Sequence, residues 1–397
     1  MFMPTMKPSL ITTFNANLTK VKPTNILVFD REVSAVPGIV KLTVGEPDFP
    51  VPAVAKQAAI QAIEADDSHY APGTGSTTLR QAISHFLADR YDLHYQAANE
   101  IAVTIGATEA IYASLFALIN PGDEVLIPTP TFPLYATMVE MLGGQAVTVP
   151  TAAPDFVLTP AQLEATLKAH PKLKAIVLNY PANPTGVTYS AAQLKALATI
   201  LAETNLIVIS DEIYSELLYT GHHVSIAQFL PGQTLILNGA SKAGAMTGYR
   251  IGFIAGPAEL MQKVNMVHSI MITAPSDPAM AAAVPIFGSE AGQQATLEMK
   301  AAYQARRDFL TGALTKLGFE VATPNGAFYL FAKLPAAAGS DDVAFATRLA
   351  KEGRVATIPG SYFGAGGEGY LRLSYATSMA NLELAVTRLT QFLAKED

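Results

Sequence analysis

Lys242 stands in Gly239-Ala240-Ser241-Lys242-Ala243-Gly244, directly after the apolar run Thr234–Leu237, with Arg250 eight positions on and no acid nearby in sequence. A lysine at most positions is a solvated helix residue. Desolvation together with a cationic neighbour lowers its proton affinity and frees the amine for Schiff-base chemistry. Asp211 closes a second apolar run, Leu206–Ile209, and opens Asp211-Glu212-Ile213-Tyr214. A carboxylate at the end of a buried strand is costly without a cationic or donor partner. A metal site built on Asp211 and Glu212 is disfavoured, because adjacent strand residues point to opposite faces. His222 and His223 read as a solvated loop pair.

Other strand ends carry weaker signals. Gly106-Ala107-Thr108-Glu109 follows Ile101–Ile105. A glycine turn opening a helix lets backbone N–H groups approach an anion, although it also serves as an ordinary strand-to-helix connection. Phe132, in Pro128-Thr129-Pro130-Thr131-Phe132, is placed either to stack on a flat ligand or to fill the core. In Asn179-Tyr180-Pro181-Ala182-Asn183-Pro184-Thr185-Gly186 two X-Pro pairs stiffen a loop that would position the Asn183 amide or serve as a structural turn. Gly364–Gly369 matches a dinucleotide fingerprint literally but precedes the strand-like Tyr370–Tyr375, not a helix. Tyr70-Ala71-Pro72-Gly73-Thr74-Gly75 lacks the G-K-[ST] ending of a phosphate loop. Asn17-Leu18-Thr19 is a glycosylation sequon in spelling only.

These residues need a scaffold that brings strand ends together. Short Val- and Ile-rich runs at Ile101–Ile105, Glu124–Ile127, Ala146–Val149, Lys174–Leu178, Leu206–Ile209, Thr234–Leu237 and Arg250–Ile254 alternate with helix-length segments such as Ala107–Ile119, Thr131–Leu142 and Ser190–Glu203. Apolar on both faces and joined by crossovers, they predict a mostly parallel seven-stranded α/β sheet with helices on both faces. Ligands then bind beyond the carboxyl ends of the strands. A long helix over Glu290–Leu317 and the turn-rich segments after it predict a smaller α+β domain built from both chain ends. The expected division is 1–44 joining that small domain, 45–289 as the large domain, and 290–397 as the rest of the small one.

The 397 residues are 50% apolar and 15% charged, which excludes a disordered chain. A net charge of −7 without long single-sign runs argues against nucleic acid as a partner. With no cysteine, thiolate metal sites and cysteine nucleophiles are excluded. No stretch reads as a transmembrane helix or a secretory signal, so a cytoplasmic protein is expected.

Together the ordered motifs resemble those of the pyridoxal-phosphate (PLP) aminotransferases of class I/II, with the aspartate-aminotransferase-like fold (fold type I), from about Leu42 to the C-terminus. Gly239-Ala240-Ser241-Lys242 with Gly248 and Arg250-Ile251-Gly252 carries the likeness most specifically. Asn183-Pro184-Thr185-Gly186, Asp211-Glu212-Ile213-Tyr214 and Tyr370-Leu371-Arg372-Leu373-Ser374 follow in the family's order. The resemblance implies that Lys242 holds the cofactor covalently and later moves a proton, while Asp211 pairs with the protonated pyridine nitrogen. It implies hydrogen bonds from Tyr214 and Asn183 to the ring's phenolic oxygen, and a stacking Phe132. The phosphate would be held at Gly106, Ala107 and Thr108 and by Arg250, with Tyr70 reaching in from a partner subunit. Arg372 would clamp the substrate α-carboxylate through two parallel hydrogen bonds, helped by Asn183 and the backbone at Gly45. Many relatives have a serine where this chain has Gly239, so Ser241 enters as a substitute phosphate donor.

The implied activity is ping-pong transfer of an α-amino group between an amino acid and a 2-oxo acid, with 2-oxoglutarate as the family's default acceptor and a homodimer with active sites at its interface. The overall texture is closest to bacterial N-acetyl-diaminopimelate, aspartate and aromatic aminotransferases. A carbon–sulfur β-lyase of the same fold is the alternative. A PLP-dependent transcription regulator would need a DNA-binding module for which the chain has no room before residue 42.

Overall fold

In the computed structural model the described residues are 5–19, 21, 25–153 and 155–395. Parts of the expected N-terminal segment (1–4, 20 and 22–24) and residues 396–397 of the C-terminal one lie outside them. Seven strands form the main sheet: β1 (Ile101–Thr104), β2 (Glu124–Thr129), β3 (Gln145–Pro150), β4 (Leu173–Asn179), β5 (Ile207–Asp211), β6 (Thr234–Gly239) and β7 (Gly252–Ala255). Their order is β1-β7-β6-β5-β4-β2-β3, and every pair is parallel except those that β7 makes with β1 and β6.

The sheet is covered on both faces because its strands are apolar on both. Ile101 and Val103 pack with helices Thr77–Tyr91 and Asp277–Gly288, while Ala102 between them faces helices Gly106–Leu118 and Ala258–Ile272. Further along, Ile176 and Leu178 of β4 meet Leu194, Leu197 and Leu201 of helix Ala191–Leu201. That helix starts where the sequence says it should, since Ser190 and Gln193 form a reciprocal cap.

Among the boundaries that shift from the sequence reading, two have a clear local cause. The expected strand Arg250–Ile254 starts only at Gly252, because Arg250 adopts φ +57° after a tight turn at Thr247–Tyr249 and so leaves the ladder. The helix expected from Thr131 begins at Leu134, with Pro133 at its cap, a position where the missing N–H costs nothing.

A second core draws on both ends of the chain. Phe29, Val33, Val40 and Leu42 pack with residues between Met299 and Phe392. Val40–Lys41 pairs in parallel with Val355–Ala356. Beside it, Tyr370–Ser374 lies between Ile358–Pro359 and Tyr329–Lys333 in a four-stranded antiparallel sheet that ends at Glu320–Val321. Helix Glu290–Lys316 is capped by Ser289 and stops before Gly318, whose φ of +85° suits glycine. Among the described residues no helix is long and apolar enough to cross a membrane.

Candidate active site

A cavity of about 550 Å³ opens at the carboxyl ends of β4, β5 and β6 and reaches the second core at Arg372. Lys242 enters it from the short helix Ala240–Ala243 that follows β6. Its Nζ donates to the carbonyl oxygen of Gly45 at 2.6 Å and lies 5.6 Å from the centre of the Phe328 ring. Desolvation, with Arg250 and Arg372 acting in the same direction, lowers its proton affinity to about 8, against the opposing pull of Glu46 and Asp211. The amine is therefore readily available as a nucleophile near neutral pH.

Asp211 is the last residue of β5 and is buried. Oδ2 accepts from the Tyr135 hydroxyl at 2.7 Å and Oδ1 from the Ile213 N–H at 3.2 Å. Burial nonetheless pushes its carboxyl up to about 6, helped by the charge of Glu212. Among the described residues no cation makes a hydrogen bond to this carboxylate, so it can take a protonated ring nitrogen from a bound ligand. Tyr214, one turn on, has its hydroxyl 3.0 Å from that of Tyr329, and burial pushes its phenol well above the usual range.

Arg372 is 4% exposed. Nη1 donates to Asn183 Oδ1 at 3.0 Å and Nη2 to the Thr43 carbonyl at 2.7 Å, and the guanidinium lies over the rings of Tyr329 and Phe363. Asn183 is itself fixed, since its N–H donates to Asn179 Oδ1 at 3.0 Å. Among the described residues no carboxylate forms an ion pair with Arg372, and its buried Nε has no partner. A buried guanidinium with an unused donor and no counter-ion can accept a carboxylate from outside the chain.

On the opposite wall helix Gly106–Leu118 presents its N-terminus. Ile105 at the cap offers no side-chain acceptor, so the first N–H groups, where Ala107 and Thr108 line the cavity, stay open to an anion. Gly106 has φ +74°, and a Cβ there would collide with the guanidinium of Arg250. The left-handed turn at Arg250 and the missing side chain at 106 thus bring a cation and a helix end together. Both suit a phosphate.

Phe132 and Ser241 line the same cavity, Phe132 packing its ring edge-on to Tyr135. Gly45 lines it as the acceptor for Lys242. Gly106 lies beneath the cradle rather than on its surface, and Tyr70 is outside the cavity, 90% exposed. The sequence reading missed Tyr135 and Tyr329, which support Asp211 and Tyr214. It also missed Asp30, Lys41, Thr43 and Glu46 along the mouth.

One expectation fails. His223 is not solvated: it is buried, with Nε2 2.7 Å from Glu212 Oε2, while His222 is exposed. Glu212 lies on the opposite face from Asp211 and also accepts from Ser210 and Ser225, so its carboxylate demands a neighbour that the loop supplies. Among the described residues no cluster of three or more His, Cys, Asp or Glu could hold a metal ion.

Residues 37–389 match the family model described as aminotransferase class I and II. The chain is 37% identical to a probable N-acetyl-LL-diaminopimelate aminotransferase of Bacillus subtilis, covering 96% of each chain. It is 37% identical to an aspartate/prephenate aminotransferase of Thermus thermophilus, over 98% of this chain and 97% of that one. Among solved structures, an aspartate aminotransferase from Thermus thermophilus with maleate superposes with a TM-score of 0.90 at 36% identity, covering 95% of this chain and 99% of the other.

Proposed function

Because the chain belongs to the class I and II aminotransferases, a family generally dependent on PLP, we propose that this cavity binds PLP through its own residues and moves the amino group there. The observation that carries the reading is a partly buried amine of low proton affinity sharing one cavity with a buried acid and a buried guanidinium that has no carboxylate partner among the described residues and an unused Nε. When bound, PLP supplies an electron sink that stabilises the carbanion left when the substrate α-carbon loses its proton.

Each wall has a task in this reading. The Gly106–Thr108 helix end and Arg250 hold the phosphate, and Phe132 covers the ring face. Asp211, steadied by Tyr135, keeps the ring nitrogen protonated. Tyr214 and Asn183 donate to the phenolic oxygen. Lys242 would hold the cofactor covalently, and its amine would carry the proton taken from the substrate α-carbon. Arg372 grips the substrate α-carboxylate as a planar fork, Asn183 and the Gly45 backbone fixing its angle. Residues 45–289 then act as the cofactor domain, while 290–397 with 1–44 bring Arg372 to it. Tyr70 is free to reach the phosphate of a second copy.

The names of the relatives above support aspartate or N-acetyl-diaminopimelate as substrate; an aromatic amino acid is the third candidate, and 2-oxoglutarate is the acceptor that the family resemblance implies. The test combines two measurements. Borohydride reduction of the loaded protein followed by peptide mapping is expected to label Lys242. Mixing the loaded protein with single amino acids while following cofactor absorbance identifies the donor, as the one that bleaches it fastest. An unlabelled Lys242 sinks the reading. Release of pyruvate and ammonia from cystathionine with no need of an oxo acid would reassign the chemistry to β-elimination.

A further inference from the structure

His268 lies near the end of helix Ala258–Ile272, wholly buried, and nothing above gives it a task. Its Nδ1 is 2.9 Å from Glu109 Oε1, and its Nε2 is 2.7 Å from the carbonyl oxygen of Gly73. A carbonyl only accepts, so Nε2 carries a proton. Glu109, its side chain 7% exposed, accepts through Oε2 from the Ile105 N–H at 3.0 Å. A carboxylate at that depth needs a partner for its charge, and one proton shared along the Glu109–His268 contact leaves the pair neutral as a whole.

Glu109 stands in the first turn of helix Gly106–Leu118. Its hydrogen bond to Ile105 fixes the turn that leads from β1 into the helix. Left bare, its charge would share the positive helix end with the phosphate and repel it. We infer that His268 is a positioning residue for the cofactor phosphate: it offsets the charge of Glu109 beneath the cradle and ties that cradle, through Gly73, to the loop that carries Tyr70. The inference rests on the reading that Gly106–Thr108 holds the phosphate.

The test separates the two. Cofactor-free protein is titrated with pyridoxamine 5′-phosphate and with pyridoxamine, neither of which reacts covalently with Lys242, so their affinity ratio measures the grip on the phosphate. His268→Gln is expected to lower the affinity for the phosphorylated form by about tenfold or more and leave pyridoxamine unchanged. Glu109→Gln on top of it should restore the affinity to within about threefold of the parent. A His268→Gln protein as tight as the parent overturns the inference, as does a double variant as weak as the single one. Equal affinity of the parent for both ligands would instead overturn the phosphate site.

Discussion

Asp211 works against the stability of the cofactor-free chain. Its carboxyl is held at about 6 against the usual 3.8, a difference worth about 3 kcal/mol. Because the folded value is the higher one, the native state binds the extra proton between the two, and stability falls as pH rises through that window. Asp211→Asn is therefore predicted to raise the stability of the cofactor-free protein by about 2 kcal/mol at pH 7.5 while removing amino transfer. Thermal melts at pH 7.5 and near pH 4 check this; a gain that persists at the acid end, or none at all, contradicts it. Lys242 gives the opposite sign. With its amine lowered to about 8, covalent capture of the cofactor aldehyde should quicken as pH rises to about 8 and then level off, as followed by stopped-flow absorbance. A rise continuing to the usual lysine range would mean the amine is not desolvated. Lys242 and Asp211 were legible in the sequence because a charge at the end of an apolar strand is conspicuous. Tyr135 and Tyr329 were not, since a tyrosine among apolar neighbours reads as core until its hydroxyl is seen to find a partner. His223 escaped for a related reason: the loop returns it to Glu212 across eleven positions, a closure that no periodicity announces.

The seven strands could be read from their Val- and Ile-rich runs, and the site follows from where those strands end. What sequence could not supply is the turn between Met246 and Gly252, where local backbone conformation overrides an apolar pattern. There Arg250 takes φ +57° and swings its guanidinium over Gly106. The pair acts as one unit, and the prediction belongs to it. Gly106→Ala should destabilise the fold by about 1 kcal/mol or more, since alanine resists φ +74° and its methyl group displaces Arg250. It should also weaken cofactor binding more than an alanine at the exposed Gly221, whose φ is +71° but which has nothing within 4 Å of the added carbon. Equal losses at the two glycines would remove Arg250 from the account.

At the scale of the molecule, apolar side chains remain on the surface near the loop that carries Tyr70. Gly73 of that loop backs onto Ser269, beside Ile270 at 86% exposure, with Met266 at 60% on the same helix. Surface of this kind is characteristic of a subunit contact. The protein is predicted to run as a dimer in light-scattering measurements at micromolar concentration, and Ile270→Asp to shift it towards monomer with loss of activity. A monomeric parent with full turnover would exclude a shared site.

The pairing of Val40–Lys41 with Val355–Ala356 also sets a timetable. On the ribosome Val40 and Lys41 must wait for a partner more than three hundred positions downstream, and Thr43 cannot meet Arg372 until that stretch has emerged. If Arg372 is the substrate clamp, as proposed, the grip is among the last parts of the machine to be assembled, and a nascent chain that already has its central sheet would still have nothing to hold its substrate.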